Sequence, residues 1–166
     1  MNGNHECNAP WKRETAGLLS NAVFLCDSGA DLRVVPWRPP GSAAASSPPP
    51  EAVTVRVWGT NFFWPMTTPN PHYALVPAAT DVLVSHGPAK GRVDKAASDA
   101  EGGGCETLMR HVKRVRPRLF VCGHLHHAHG VERDGAEGDA VRTAFVNAAN
   151  CRDGYKIGWD PVAVDI

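Results

Sequence analysis

Apolar runs and alternations along the chain predict many short elements, with strands outnumbering helices. Ala22-Val23-Phe24-Leu25-Cys26 is a compact apolar run closed by the turn signal Asp27-Ser28-Gly29, which predicts a buried strand. Residues 32–37 and 53–58 are also strand-like. In the second, Val53, Val55 and Val57 alternate with Thr54, Arg56 and Trp58, so one face belongs to a core. Residues 11–20 predict a short helix anchored by Trp11, Leu18 and Leu19. Further on, Asp81-Val82-Leu83-Val84-Ser85 predicts a strand that runs directly into His86-Gly87-Pro88. Leu108, Met109, Val112 and Val115 then recur at helical spacing over residues 105–115. Arg116-Pro117 ends that helix, because the residue before a proline is pushed out of the helical region. Arg118-Leu119-Phe120-Val121-Cys122 is a second strand, leading into Gly123-His124-Leu125-His126. Strand, helix and strand with one crossover make a βαβ unit whose strands are parallel. Residues 142–146 and 161–166 predict two more strands. The fold class is α/β.

Composition narrows the picture. Residues 39–50 hold Pro, Ala, Ser and Gly with nothing to bury, and predict a disordered insertion within a hairpin. A proline-rich ligand for a partner domain is the competing reading. Residues 59–77 read as loop, carrying Phe62, Phe63, Trp64 and Tyr73, aromatics that cover a core edge or wall a pocket. A length of 166 residues fits one domain or most of one. The 17 Lys+Arg cancel the 17 Asp+Glu, so there is no basic footprint for nucleic acid. No apolar run approaches the roughly 20 residues that span a bilayer, and no secretory signal opens the chain, so no membrane partner is expected. Five cysteines, odd in number and without a Cys-x-x-Cys, fit reduced thiols and a cytoplasmic location.

The informative chemistry is positional. Of eight histidines, four fall between His124 and His129. His86 and the pair His124/His126 each follow the last residue of a predicted parallel strand. Ligands of open α/β sheets bind just outside those carboxyl ends, so one βαβ unit delivers imidazoles to a single edge. Gly87 and Gly123 let the backbone turn sharply beside them. Three neutral imidazoles suit a borderline divalent metal such as Zn, Mn or Fe. The plainer alternative is a histidine-rich surface loop that collects metal adventitiously.

Gly3-Asn4-His5-Glu6, Ser85-His86-Gly87-Pro88, Gly123-His124-Leu125-His126 and Phe145-Val146-Asn147-Ala148 occur in that order. Together they closely resemble the calcineurin-like metallophosphoesterase superfamily, and most closely its small cyclic-nucleotide-phosphodiesterase-like branch. The resemblance implies a sandwich of β-sheets flanked by helices and a binuclear site for divalent ions (Mn, Fe or Zn). It implies that Asn4, His86 and His124 bind one metal and His126 the other. His5 would face the scissile phosphate as the catalytic residue, stabilising charge or protonating the leaving oxygen. The implied reaction is hydrolysis of a small phosphate ester, a phosphodiester foremost, by a metal-activated hydroxide. Asn fits such a set because it contributes oxygen without negative charge. His127 and His129 take no role from the resemblance and are expected in solvated loop, and Glu6 is expected to cap the first helix or to be solvated.

The family's Asp-x-His and Gly-Asp motifs, whose carboxylates serve and bridge the metals, have no counterpart following a strand here. Residues 1–166 are therefore expected to be the C-terminal part of a single metallophosphoesterase domain, with its N-terminal strands and helices missing through truncation of a gene model or fragmentation. Two divalent cations about 3.5–4 Å apart repel strongly unless carboxylates screen them. Asn4, His86, His124 and His126 are all neutral, so at most one tightly held metal and little hydrolysis are expected. The spacing of Glu6, Asp94 and Asp99 does not argue for them as substitute ligands. A non-catalytic metal-binding or interaction protein on a degenerate scaffold is the alternative. Substrate choice is expected to rest on residues 59–77 and 91–104, which shape the pocket.

Overall fold

The computed structural model describes residues 14–38, 48, 50–61, 70–95, 101–135, 143–152 and 156–165. Among the described residues, six strands form one sheet: β1 Ser28–Val34, β2 Val53–Gly59, β3 Val82–Val84, β4 Leu119–Cys122, β5 Gly130–Arg133 and β6 Ala144–Asn147. Their order is β1-β2-β3-β4-β6-β5. The central four run parallel, and antiparallel β1 and β5 close the two edges. The helices are α1, Thr15–Leu18, and α2, Glu106–Val115. This is a mixed α/β fold, as the residue pattern predicts, and its single sheet is consistent with part of a metallophosphoesterase sandwich. Among the described residues, no helix is long and apolar enough to cross a membrane.

The β3–α2–β4 unit forms where the pattern places it. Leu108, Val112 and Val115 are buried on one face of α2, against Leu83, Phe120 and Phe145 of the sheet. The Phe120 and Phe145 rings lie 5.7 Å apart at a tilt of 49°, and both are fully buried. Cys105 caps α2, its sulfur accepting the Leu108 N–H at 3.5 Å. Glu106 sits in the first turn, and Lys113 and Arg114 in the last, each placed to suit the helix dipole. Arg116 leaves the helix in the left-handed region (φ 53°) just before Pro117.

Two predicted strands are absent. Residues 22–26 make no ladder, and Val23 is 68% exposed. The chain instead enters the sheet at Ser28-Gly29, the residues read as a turn, and pairs with β2 over seven positions. Gly29 faces Trp58 across the ladder, and a Cβ there would lie 3.0 Å from the indole. A glycine that looks like a breaker thus admits a tryptophan, and ladder pairing outweighs local turn preference. That indole packs against the core cluster, while Thr54 and Arg56 on the same side of β2 are exposed and Val55 and Val57 on the other are half-buried. Beyond Val34 the chain leaves the sheet, and Trp37 is 79% exposed.

Residues 161–165 also form no strand. Their side chains alternate between half-buried and exposed, the strand period without a ladder partner among the described residues. In the other direction, β5 lacks a sequence signal of its own. Its Val131, Glu132 and Arg133 are exposed, an edge strand held by β6. Of the predicted 39–50 insertion, residues 39–47 and 49 lie outside the described residues. Of the helix predicted for 11–20, residues 11–13 lie outside the described residues, and the described part is helical over the four residues Thr15–Leu18.

The central packing makes a direct prediction. Phe120→Ala, which empties a fully buried ring position, is expected to lower unfolding free energy by about 3–5 kcal/mol in urea titrations. Val131→Thr on the edge strand is expected to change it by less than about 0.5 kcal/mol.

Candidate metal centre

All four central strands end at one rim, and main-chain bonds stitch their ends together. Thr60 N donates to Val84 O (2.9 Å), Ser85 N to Val121 O (2.9 Å), Gly123 N to His86 O (2.9 Å) and Ala148 N to Cys122 O (2.8 Å). The two histidines that follow β3 and β4 therefore stand side by side. Their imidazole centroids are 4.9 Å apart, with the ring planes at 52°. Both are half-buried, open enough to meet a ligand and enclosed enough to be held.

His124 occupies the left-handed region, with φ 66°. A non-glycine residue there costs on the order of 1 kcal/mol, and the surrounding rim must hold it. Part of that hold is Asn147, the last residue of β6, which is fully buried. Its amide nitrogen donates to Val93 O (3.2 Å) and Leu125 O (3.0 Å), and its oxygen accepts from Ala149 N (3.1 Å). One carboxamide thus ties the loop after His86 to the loop that carries His124. The pattern of residues alone gave Asn147 no part in the architecture; a buried amide is visible only once the three loops are together.

His126 begins a three-residue 3-10 turn, His126–Ala128, close after His124. It is half-buried, and His127 beside it is exposed, as expected of a solvated loop residue. His129 is not solvated loop. Its Nδ1–H donates to Ala149 O at 2.9 Å, and its ring stacks on Trp159. Asn4, His5 and Glu6 lie outside the described residues. Among those described, no cluster of three or more His, Cys, Asp or Glu side chains that could hold a metal forms. Two imidazoles that meet at 4.9 Å, on the edge of the sheet where ligands bind, suit two corners of one divalent site.

Comparison with known proteins adds a second line. No protein-family model matches the chain. It is 30% identical over 155 residues to the human metallophosphoesterase domain-containing protein 1, an alignment covering 90% of this chain and 41% of that protein. It is 33% identical over 159 residues to UPF0046 protein C25E10.12 of Caenorhabditis elegans, covering 90% of this chain and 48% of the relative. Over nearly its whole length the chain is thus similar to proteins named for a metallophosphoesterase domain. The chain spans less than half the length of these two relatives.

The first carboxylate that follows His86 in the sequence is already committed. Asp94 is buried, and its Oδ2 accepts the N–H groups of Gly91 (2.9 Å) and Gly104 (3.0 Å). Gly102 makes room for it, since a Cβ there would collide with the carboxylate, and one at Gly104 would crowd both the Ala89 backbone and Asp94. Asp94 is a scaffold residue rather than a substitute ligand, and its glycine-rich company was the signal available in the sequence. Nearby, the Cys122 thiol is held well above its ordinary range, first by burial and second by the Asp94 charge. Cys122 is therefore an inert core residue beneath the rim.

The strained rim residue yields a test. His124→Gly is expected to be more stable than His124→Ala by about 1 kcal/mol in chemical denaturation, because only glycine relaxes at that φ. Equal stabilities would show that the left-handed conformation at this position is not retained in solution.

Proposed function

We propose that this chain carries the histidine-bearing rim of a metal-dependent phosphoesterase that hydrolyses phosphate esters, phosphodiesters foremost. The observation that supports it most is the His86–His124 pair, 4.9 Å between rings, at the carboxyl ends of adjacent parallel strands in a chain similar to proteins named for a metallophosphoesterase domain. In this reading Asn4, His86 and His124 hold one divalent ion, His126 serves a second position, and His5 faces the phosphate. Bound there, a divalent ion supplies positive charge to phosphate oxygens and acidifies water.

The chain's own residues have simpler tasks. His86 and His124 present neutral nitrogen donors, held by the β3–β4 register and by the main-chain bond from Gly123 N to His86 O. Asn4 adds an uncharged oxygen donor, so the ligand set does not repel an anionic ester. His5 donates a hydrogen bond or a proton to the ester oxygens. The same neutrality limits metal content. With Asp94 engaged by Gly91 and Gly104, that carboxylate does not screen two cations about 3.5–4 Å apart, and the chain holds at most one tightly.

Metal titration of the purified chain tests this reading. About one equivalent of manganese or zinc is expected to bind. His86→Ala and His124→Ala are each expected to weaken binding by at least ~10-fold, with His127→Ala leaving it unchanged. Slow manganese-dependent hydrolysis of an aryl phosphodiester is expected to disappear in His86→Ala. Retention of full metal binding in both rim variants would overturn the assignment. A histidine-loop metal sink predicts that outcome, because His127 and His129 would compensate.

A further inference from the structure

The residues after β6 fold back as a small strap over the histidine turn. Asn150 O accepts from Gly158 N (3.0 Å) and Trp159 N (3.3 Å), Arg152 N donates to Lys156 O (2.8 Å), and Cys151 bridges Ile157 in antiparallel fashion. The strap delivers one large side chain. The Trp159 indole N–H donates to His126 O at 3.0 Å. Its ring stacks on His129, with 5.2 Å between centroids and planes within 5°. The Arg152 guanidinium lies 4.3 Å from the Trp159 ring centroid. Gly158 makes room for that arginine, since a Cβ there would stand 2.5 Å from Arg152 Cδ.

The turn being held is weak by itself. His126–Ala128 has only three residues, and Leu125 before it offers no side-chain cap. Its own main chain is closed by a single bond, Ala128 N to Leu125 O (3.1 Å), and it is docked from outside by Asn147 under Leu125, Ala149 beside His129 and Trp159 on His126. Trp159 itself is only half-buried, and its neighbour Ile157 is 82% exposed. Neither pattern is that of a core anchor. The indole's polar contact goes to the main chain of the one histidine assigned to the second metal position.

We propose that Trp159 is a positioning residue for His126, setting the main chain from which that imidazole reaches its ligand. This rests on the reading of His126 as a metal-binding residue. It separates His126, governed by the strap, from His86 and His124, governed by the strand register.

Zinc titration of the full chain, followed by imidazole nitrogen NMR, distinguishes these controls. In Trp159→Leu the His126 response is expected to need at least ~10-fold more zinc, while the His86 and His124 midpoints stay in place. If Trp159→Leu does not fold, Trp159→Phe keeps a ring for His129, deletes the Nε1 donor and is read the same way. An unchanged His126 midpoint overturns the proposal, and so does a joint shift of all three histidines, which marks a merely structural role. Zinc that perturbs none of these imidazoles in the unsubstituted chain overturns the metal reading first, and this inference with it.

Discussion

The register of β3 on β4 is the constraint on which the rest depends. Leu83 faces Phe120 and Val84 faces Val121, and both Leu83 and Phe120 are fully buried. A slip of one residue would turn each of those side chains to the other face of the sheet and empty the core. Hydrophobic burial therefore fixes, at no extra cost, where the chain leaves each strand. Ser85 N then bonds Val121 O and Gly123 N bonds His86 O. The pairing of the two imidazoles is a by-product of packing a leucine and a phenylalanine beneath them.

Above that rigid layer the rim is less comfortable. His124 and Val93 are both in the left-handed region, with φ of 66° and 43°. Each costs free energy locally, and Asn147 reaches both from below, bonding Val93 O itself and the O of Leu125, the residue after His124. Buried and with three hydrogen bonds, the Asn147 carboxamide offsets the strain only while both loops stay docked. Arg92 secures the outer side, pairing with Glu132 (3.6 Å) and Asp134 (3.1 Å) of the β5 region. Being half-exposed, those pairs contribute little stability and serve mainly to orient the loop. The division between a well-packed base and a strained rim is the usual arrangement for a binding edge.

How much of this was legible in the residue pattern follows from how local each determinant is. The β3–α2–β4 unit was legible, because Leu108, Val112 and Val115 repeat within the element they define and Pro117 marks its end. The juxtaposition of His86 and His124 followed from it, since a βαβ unit leaves little freedom in where its strand ends lie. The apolar run at 22–26 misled because a run reports burial potential, and a strand also needs a ladder partner. Ser28-Gly29 misled in the opposite sense, the glycine serving the Trp58 ring across the sheet. Trp159 was illegible for a simpler reason. Its partner His126 is 33 residues away, and a lone tryptophan in a polar tail has no periodicity to read.

The electrostatics of the rim then follow from what the scaffold has consumed. Asp94 is bound to glycine amides, and Glu132 and Asp134 are engaged with Arg92. These three carboxylates are thus occupied in holding the histidine loops, and His86 and His124 meet at the edge as imidazoles. A neutral edge of this kind has two opposite consequences. It lowers the repulsion an anionic ester meets on approach, and it leaves a pair of adjacent cations unscreened. The same residues that make the rim hospitable to phosphate therefore limit how much metal it keeps. Affinity for a second ion then needs anionic oxygen donors other than Asp94, Glu132 and Asp134, which the backbone and Arg92 already engage.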